Sequence, residues 1–160
     1  MASWKRSLIG LLITALPVGA IADPMPYGAR TPTPSQVMTA YIGKTEKWDA
    51  DCNGGIYFGA NNQARAWCAK SPDSLGAGRW YTDAYGRMCH ELTWYWPNNG
   101  RAGSSPGEKS CVLHVVDRSD RVWRSYSGQA EWWPIKEDFS LTPGYTFQNQ
   151  VRALRRKLGL

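Results

Sequence analysis

GRWYTDAYGRMCHELTWYWPNNGRAGSSPGEKSC, residues 78–111, holds two runs of tryptophan, tyrosine and threonine, 78–82 and 87–96, on either side of the corner Asp83-Ala84-Tyr85-Gly86. Such side chains suit a pleated, half-buried surface, and Gly86 can adopt the left-handed backbone that a type I turn with a G1 bulge requires at its fourth position. The segment therefore reads as a β-hairpin. The same design recurs on both sides of it. Gly59-Ala60-Asn61-Asn62-Gln63 and Asp117-Arg118-Ser119-Asp120-Arg121 align with Asp83-Ala84-Tyr85-Gly86-Arg87 and place Asn62 and Asp120 where Gly86 stands. Asn and Asp tolerate a positive φ better than other L-residues do.

Eight short runs share this aromatic and β-branched character: residues 44–49, 55–58, 64–68, 78–82, 87–96, 111–116, 122–126 and 130–135. Consecutive hairpins make an antiparallel meander. Eight strands of that kind curl into a small barrel or a strongly curled sheet, an all-β, calycin-like architecture, with a flatter open sheet as the competing form. A short N-terminal helix is expected after a Thr33 or Ser35 cap, with Val37, Met38 and Tyr41 on one side and Gly43 as its stop. Val151, Leu154 and Leu158 at helical spacing, with basic residues opposite, predict a C-terminal helix that docks on the domain or lies on an anionic surface.

The N-terminus sets the compartment. Lys5 and Arg6, an apolar run over residues 8–18 and Ala20-Ile21-Ala22 read as a secretory signal peptide cleaved near Ala22, since the run is about half the ~20 residues of a membrane span. The expected organisation is signal peptide 1–22, Pro-rich linker 23–34, β domain 35–138 and basic helical tail 139–160, in a periplasmic or secreted protein without a transmembrane segment. Removing two of the 19 basic residues with the leader leaves 17 against 13 acidic, a net of +4. Four of the 17, Arg152, Arg155, Arg156 and Lys157, lie in the tail, so the domain body is balanced. That distribution is not the basic, aromatic-interleaved surface of a nucleic-acid binder.

Export puts Cys52, Cys68, Cys89 and Cys111 in an oxidising compartment. Cys52–Cys68 and Cys89–Cys111 each close a modest loop between neighbouring strands and are the least strained pairing. Cys89-His90 and Cys111-x-x-His114 do not make a metal site, because residues one or three apart on a strand point to opposite faces. Pairing Cys89 opposite Cys111 sets His90 and His114 on one face, ~13 Å apart at ~3.3 Å per residue. No cofactor motif is present, and no two carboxylates are paired by spacing.

Two kinds of binding site remain. His90 shares a face with Met88, Leu92, Trp94 and Trp96, so the bland reading is a histidine at the rim of an aromatic core and the sharper one a ligand cavity. Trp67, Trp132 and Trp133 fit the interior least well and would mark a partner surface if exposed. Glu91 lies mid-strand and calls for an arginine such as Arg79 or Arg124.

Several features together resemble an uncharacterised family of exported bacterial proteins, domain-of-unknown-function family 995. They are the short helix ending in Gly43-Lys44-Thr45, the strand Gly54-Gly55-x-Tyr57-Phe58, Gly78-Arg79-Trp80-Tyr81 leading to Gly86-Arg87-Met88-Cys89, the later Cys111 and a closing Glu131-Trp132. The resemblance spans residues 37–135 and implies an envelope or secreted protein; it brings no activity or catalytic residues. The Cys52/Cys68 pair and the basic C-terminal helix are not part of its pattern. The reading is thus an exported binding protein for a small ligand or an envelope partner. An envelope hydrolase using Glu91 or His90 and a structural envelope protein are the alternatives.

Overall fold

The computed structural model describes residues 24–49, 51–126 and 131–160. The signal peptide and its cleavage near Ala22 lie outside the described residues, as does the start of the run at 130–135. One sheet contains β1 (Lys44–Lys47), β2 (Gly55–Phe58), β3 (Gln63–Trp67), β4 (Leu75–Thr82), β5 (Arg87–Asn98), β6 (Arg101–Pro106), β7 (Ser110–Val116), β8 (Val122–Tyr126), β9 (Trp133–Pro134) and β10 (Leu141–Pro143). Its order is β10-β1-β2-β3-β4-β5-β7-β8-β9, with β6 hydrogen-bonded to β5 beside that path. All pairs are antiparallel, and the sheet curls into a half-barrel whose ends are β9 and β10.

The three corners form as their residue types dictate. Asn62, Gly86 and Asp120 have φ of 61°, 74° and 60°. In two of the loops the leading aspartate accepts hydrogen bonds from the amides two and four residues ahead, Asp83 from Tyr85 and Arg87, and Asp117 from Ser119 and Arg121. The first loop begins with Gly59 instead, and there Asn61 is left-handed as well, at 58°.

Two strands lie where the sequence predicts none. Residues 97–107, read as a loop, hold the end of β5, a tight turn at Asn99-Gly100 with both φ positive (48° and 76°), and β6. Along one edge of β5, Arg87–His90 pair with β7 and Thr93–Asn98 with β6, so the partner changes at Glu91 and Leu92. The second is β10, which continues the sheet past residue 138 by pairing with β1.

The sheet carries a core on each face. Ile56, Phe58, Trp80, Met88 and Val112 fill the concave side, and α1 (Pro34–Tyr41) covers them with Val37 and Tyr41. This helix starts at a Thr33 capping box with Gln36 and Pro34 in its first turn, satisfying amides that would otherwise be unpaired. On the convex side α2 (Gln148–Leu158) docks Val151, Leu154 and Leu158 over Leu75, Trp67 and Tyr95. Within the Pro-rich segment, Arg30 exchanges backbone hydrogen bonds with Val116, and Pro32 is fully buried.

The disulfides are Cys52–Cys68 and Cys89–Cys111, with Cα atoms 5.0 and 4.1 Å apart. Cys52–Cys68 ties the open end of the β2–β3 hairpin, and Cys89 lies directly opposite Cys111. In the chain-entropy picture each stabilises by roughly 3 kcal/mol.

Candidate functional site

Where the half-barrel fails to close, side chains bridge the gap between β8–β9 and β1–β10. Alternation along β8 turns Arg124 to the concave side, opposite His114 on β7, and leaves it 2% exposed. Alternation along β1 turns Glu46 the same way, between Ile56 and Leu141. Arg124 Nη1 donates to Glu46 Oε1 at 2.6 Å, and Nη2 donates to Asp138 Oδ2 at 2.5 Å and to Ser140 Oγ at 2.9 Å. Tyr126 Oη donates to the same Glu46 oxygen at 3.0 Å. Burial alone would lower the Arg124 pKa; the Glu46 carboxylate together with the Tyr41 and Tyr126 hydroxyls outweighs it and the pKa is raised, so the guanidinium stays charged. Burial and then Glu46 push the Tyr126 hydroxyl up to about 12, which keeps it a donor.

A neutral pair lies beside this cluster. His114 Nδ1 is 3.0 Å from the Gly86 carbonyl, which can only accept, so Nδ1 carries the proton. Nε2 then accepts from Tyr41 Oη at 2.8 Å. Burial lowers the His114 pKa to about 4, and the imidazole is neutral at pH 7. Both nitrogens of this ring are therefore satisfied in the neutral form.

Outside the Arg124 cluster the seam opens into a cleft of about 540 Å³ lined by Tyr126, Trp133 and Phe139, with Glu137 and Asp138 at its rim. Tyr126 and Trp133 meet edge to face with centroids 6.1 Å apart, and Phe139 is 94% exposed. Glu137 also lies 3.5 Å from Arg121.

The residues singled out from the sequence fall in different places. Trp133 lines the seam cleft, whereas Trp132 is buried (7% exposed) and Trp67 packs under α2 against Phe147, so the three tryptophans do not share one patch. His90 and Trp94 face the concave side, where Trp94 packs against Trp48. Trp96 is exposed near Gly103 of β6. His90 Nδ1 is buried without a hydrogen-bond partner, and burial lowers its pKa. Glu91 points to the opposite face of β5, paired with Arg79 at 3.0 Å and accepting from Tyr81 Oη at 3.2 Å. The Arg79 hydrogen bond holds its carboxyl below the usual range. Glu91 and His90 therefore cannot serve one reacting atom as acid and base. Arg124, Glu46, Tyr126, Asp138 and Phe139 were not foreseen as a group; Glu46 and Arg124 are 78 positions apart, and no local pattern links them.

These observations define a class: a disulfide-clamped antiparallel half-barrel whose open seam is bridged by a buried arginine and lined outside by aromatic rings. The chain belongs to the family described as "Protein of unknown function (DUF995)", which it matches over residues 9–157. That span includes Cys52, Cys68 and nearly all of α2, well beyond residues 37–135. No curated protein and no solved structure matches it.

Proposed function

We propose that the protein is an exported binding protein whose seam cleft takes a small ligand, with an apolar or aromatic body against Tyr126, Trp133 and Phe139 and a positively charged head toward Glu137 and Asp138. The observation that carries this reading is Phe139, 94% exposed beside Trp133 at the mouth of a cleft of about 540 Å³. Covering such a ring is worth roughly 1.5–3 kcal/mol, and a cation over the aromatic faces adds about 0.5–2 kcal/mol. Arg124 is a single cation shared by Glu46 and Asp138, so one negative charge at the seam is left uncompensated by it. The disulfides support a compartment outside the cytoplasm, periplasmic or secreted. The concave interior around His90 is the weaker candidate, since Trp80, Phe58, Met88 and Tyr41 fill it with almost no exposure.

Native mass spectrometry of the protein isolated from the cells that make it tests the reading, with Trp133→Ala and Phe139→Ser alongside. A bound small molecule is expected on the wild type and absent from both variants. A wild type that carries nothing, or a bound mass retained in both variants, refutes it.

A further inference from the structure

On the convex face, α2 and β3 enclose a concavity of about 350 Å³ lined by Arg65, Arg152, Arg155 and Arg156 together with Tyr145. No acidic side chain lines it. Among the described residues eleven arginines are present, and Arg30, Arg79, Arg87, Arg121 and Arg124 are ion-paired. Of the six others, Arg118 stacks over Tyr27, Arg101 is exposed on β6, and the remaining four all line this one concavity. Among the described residues, four of the six arginines without an ion pair thus lie at one place.

The concavity is also organised. Arg65 is held by the carbonyls of Ala64 at 2.8 Å and Gly78 at 3.4 Å and by Gln63 Oε1 at 3.2 Å, which fixes its guanidinium without neutralising it. Residues 152, 155 and 156 share one side of α2 by helical spacing, beside the stripe of Val151, Leu154 and Leu158 that anchors the helix. Burial lowers the Arg65 pKa and the Arg155 charge lowers it further, the signature of like charges held close together. The Tyr145 hydroxyl is buried without a partner, on a ring stacked on Tyr57 with centroids 4.1 Å apart. The arginine guanidinium forks offer donors and positive charge, the chemistry that recognises a phosphoryl group.

We propose that the α2–β3 concavity binds the phosphoryl group of a phosphate ester, free or as the headgroup of an anionic lipid, with Arg65 and Arg155 as its principal ligands. The site lies on the opposite side of the sheet from the seam cleft and does not depend on the reading of that cleft. Isothermal titration calorimetry with inorganic pyrophosphate at low ionic strength tests it, together with co-sedimentation on phosphatidylcholine vesicles with and without phosphatidylglycerol. Saturable pyrophosphate binding is expected, weakened about tenfold or more by Arg65→Gln and by Arg155→Gln and unchanged by Arg101→Gln, a tenfold change being about 1.4 kcal/mol. Near-UV circular dichroism checks the fold, and Arg155→Gln with Arg156→Gln serves if Arg65→Gln does not fold. Binding only to phosphatidylglycerol vesicles, competed by pyrophosphate, identifies a lipid headgroup; binding to pyrophosphate alone identifies a free ester. Absence of saturable binding in both assays, equal weakening by Arg101→Gln, or vesicle binding that pyrophosphate does not compete overturns the proposal.

Discussion

Replacing Arg124 with leucine removes the cation that Glu46 and Asp138 share across the seam. Its side chain is 3% exposed and those of its partners Glu46 and Asp138 are 8% and 14% exposed, so the variant leaves two carboxylates in the protein without a counter-charge. Removing one partner of a buried ion pair costs about 3–5 kcal/mol, because the stranded charge keeps its desolvation penalty. For a domain of this size that corresponds to a melting point lower by roughly 10–20 °C. Glu46→Leu should cost less, about 1–3 kcal/mol, since Arg124 keeps Asp138 and Ser140 and the new side chain lies between Ile56 and Leu141. The double variant should then be more stable than the sum of the singles implies, with a coupling of about 1–3 kcal/mol. Urea denaturation followed by tryptophan fluorescence, with the disulfides intact, measures all three. An Arg124→Leu cost below about 1 kcal/mol, the level of a solvent-exposed ion pair, or strictly additive singles would refute the bridged seam.

Three further outcomes follow from the same contacts. His114 has a folded pKa of about 4 against 6.5 unfolded, so between those values the unfolded chain binds a proton that the native ring does not. Stability should therefore fall by up to ~3 kcal/mol as pH drops from 7 to 4, and His114→Gln should remove most of that slope in urea titrations across the range. Gly86→Ala should cost about 1–3 kcal/mol, because φ is +74° and the added Cβ would meet the His114 carbonyl oxygen at 2.7 Å, whereas Asp120→Gly at φ 60° should be close to neutral; thermal melts of both compare them. Replacing Cys89 and Cys111 together with serine should lower stability by roughly 3 kcal/mol in the same denaturation assay.

What could be read in advance was what is local. The corners at Asn62, Gly86 and Asp120 announce themselves by residue type, and once they are hairpins the pairing of Cys89 with Cys111 follows from the register. β6 went unseen because Gly103, Ser104, Ser105 and Pro106 have neither aromatic nor β-branched side chains and no buried face, so no alternation marks them. Asn99-Gly100 was the available signal: that dipeptide favours the positive φ values a two-residue hairpin turn needs, and both residues adopt them. β10 is three residues long and is specified by its partner β1, about a hundred positions earlier. The seam cleft depends on the same long-range closure. Trp133 could be singled out as a residue hard to bury, but its neighbours Tyr126 and Phe139 come together only when the sheet curls.

The most direct test of the binding account is the indole N–H spectrum of the ¹⁵N-labelled protein titrated with benzyltrimethylammonium, a cation with an aromatic body. The Trp133 resonance should shift along a saturable curve while that of buried Trp132 moves little, and Phe139→Ser should weaken the response. Shifts that leave Trp133 unmoved, or that run linearly and alike through all the tryptophans, would contradict it.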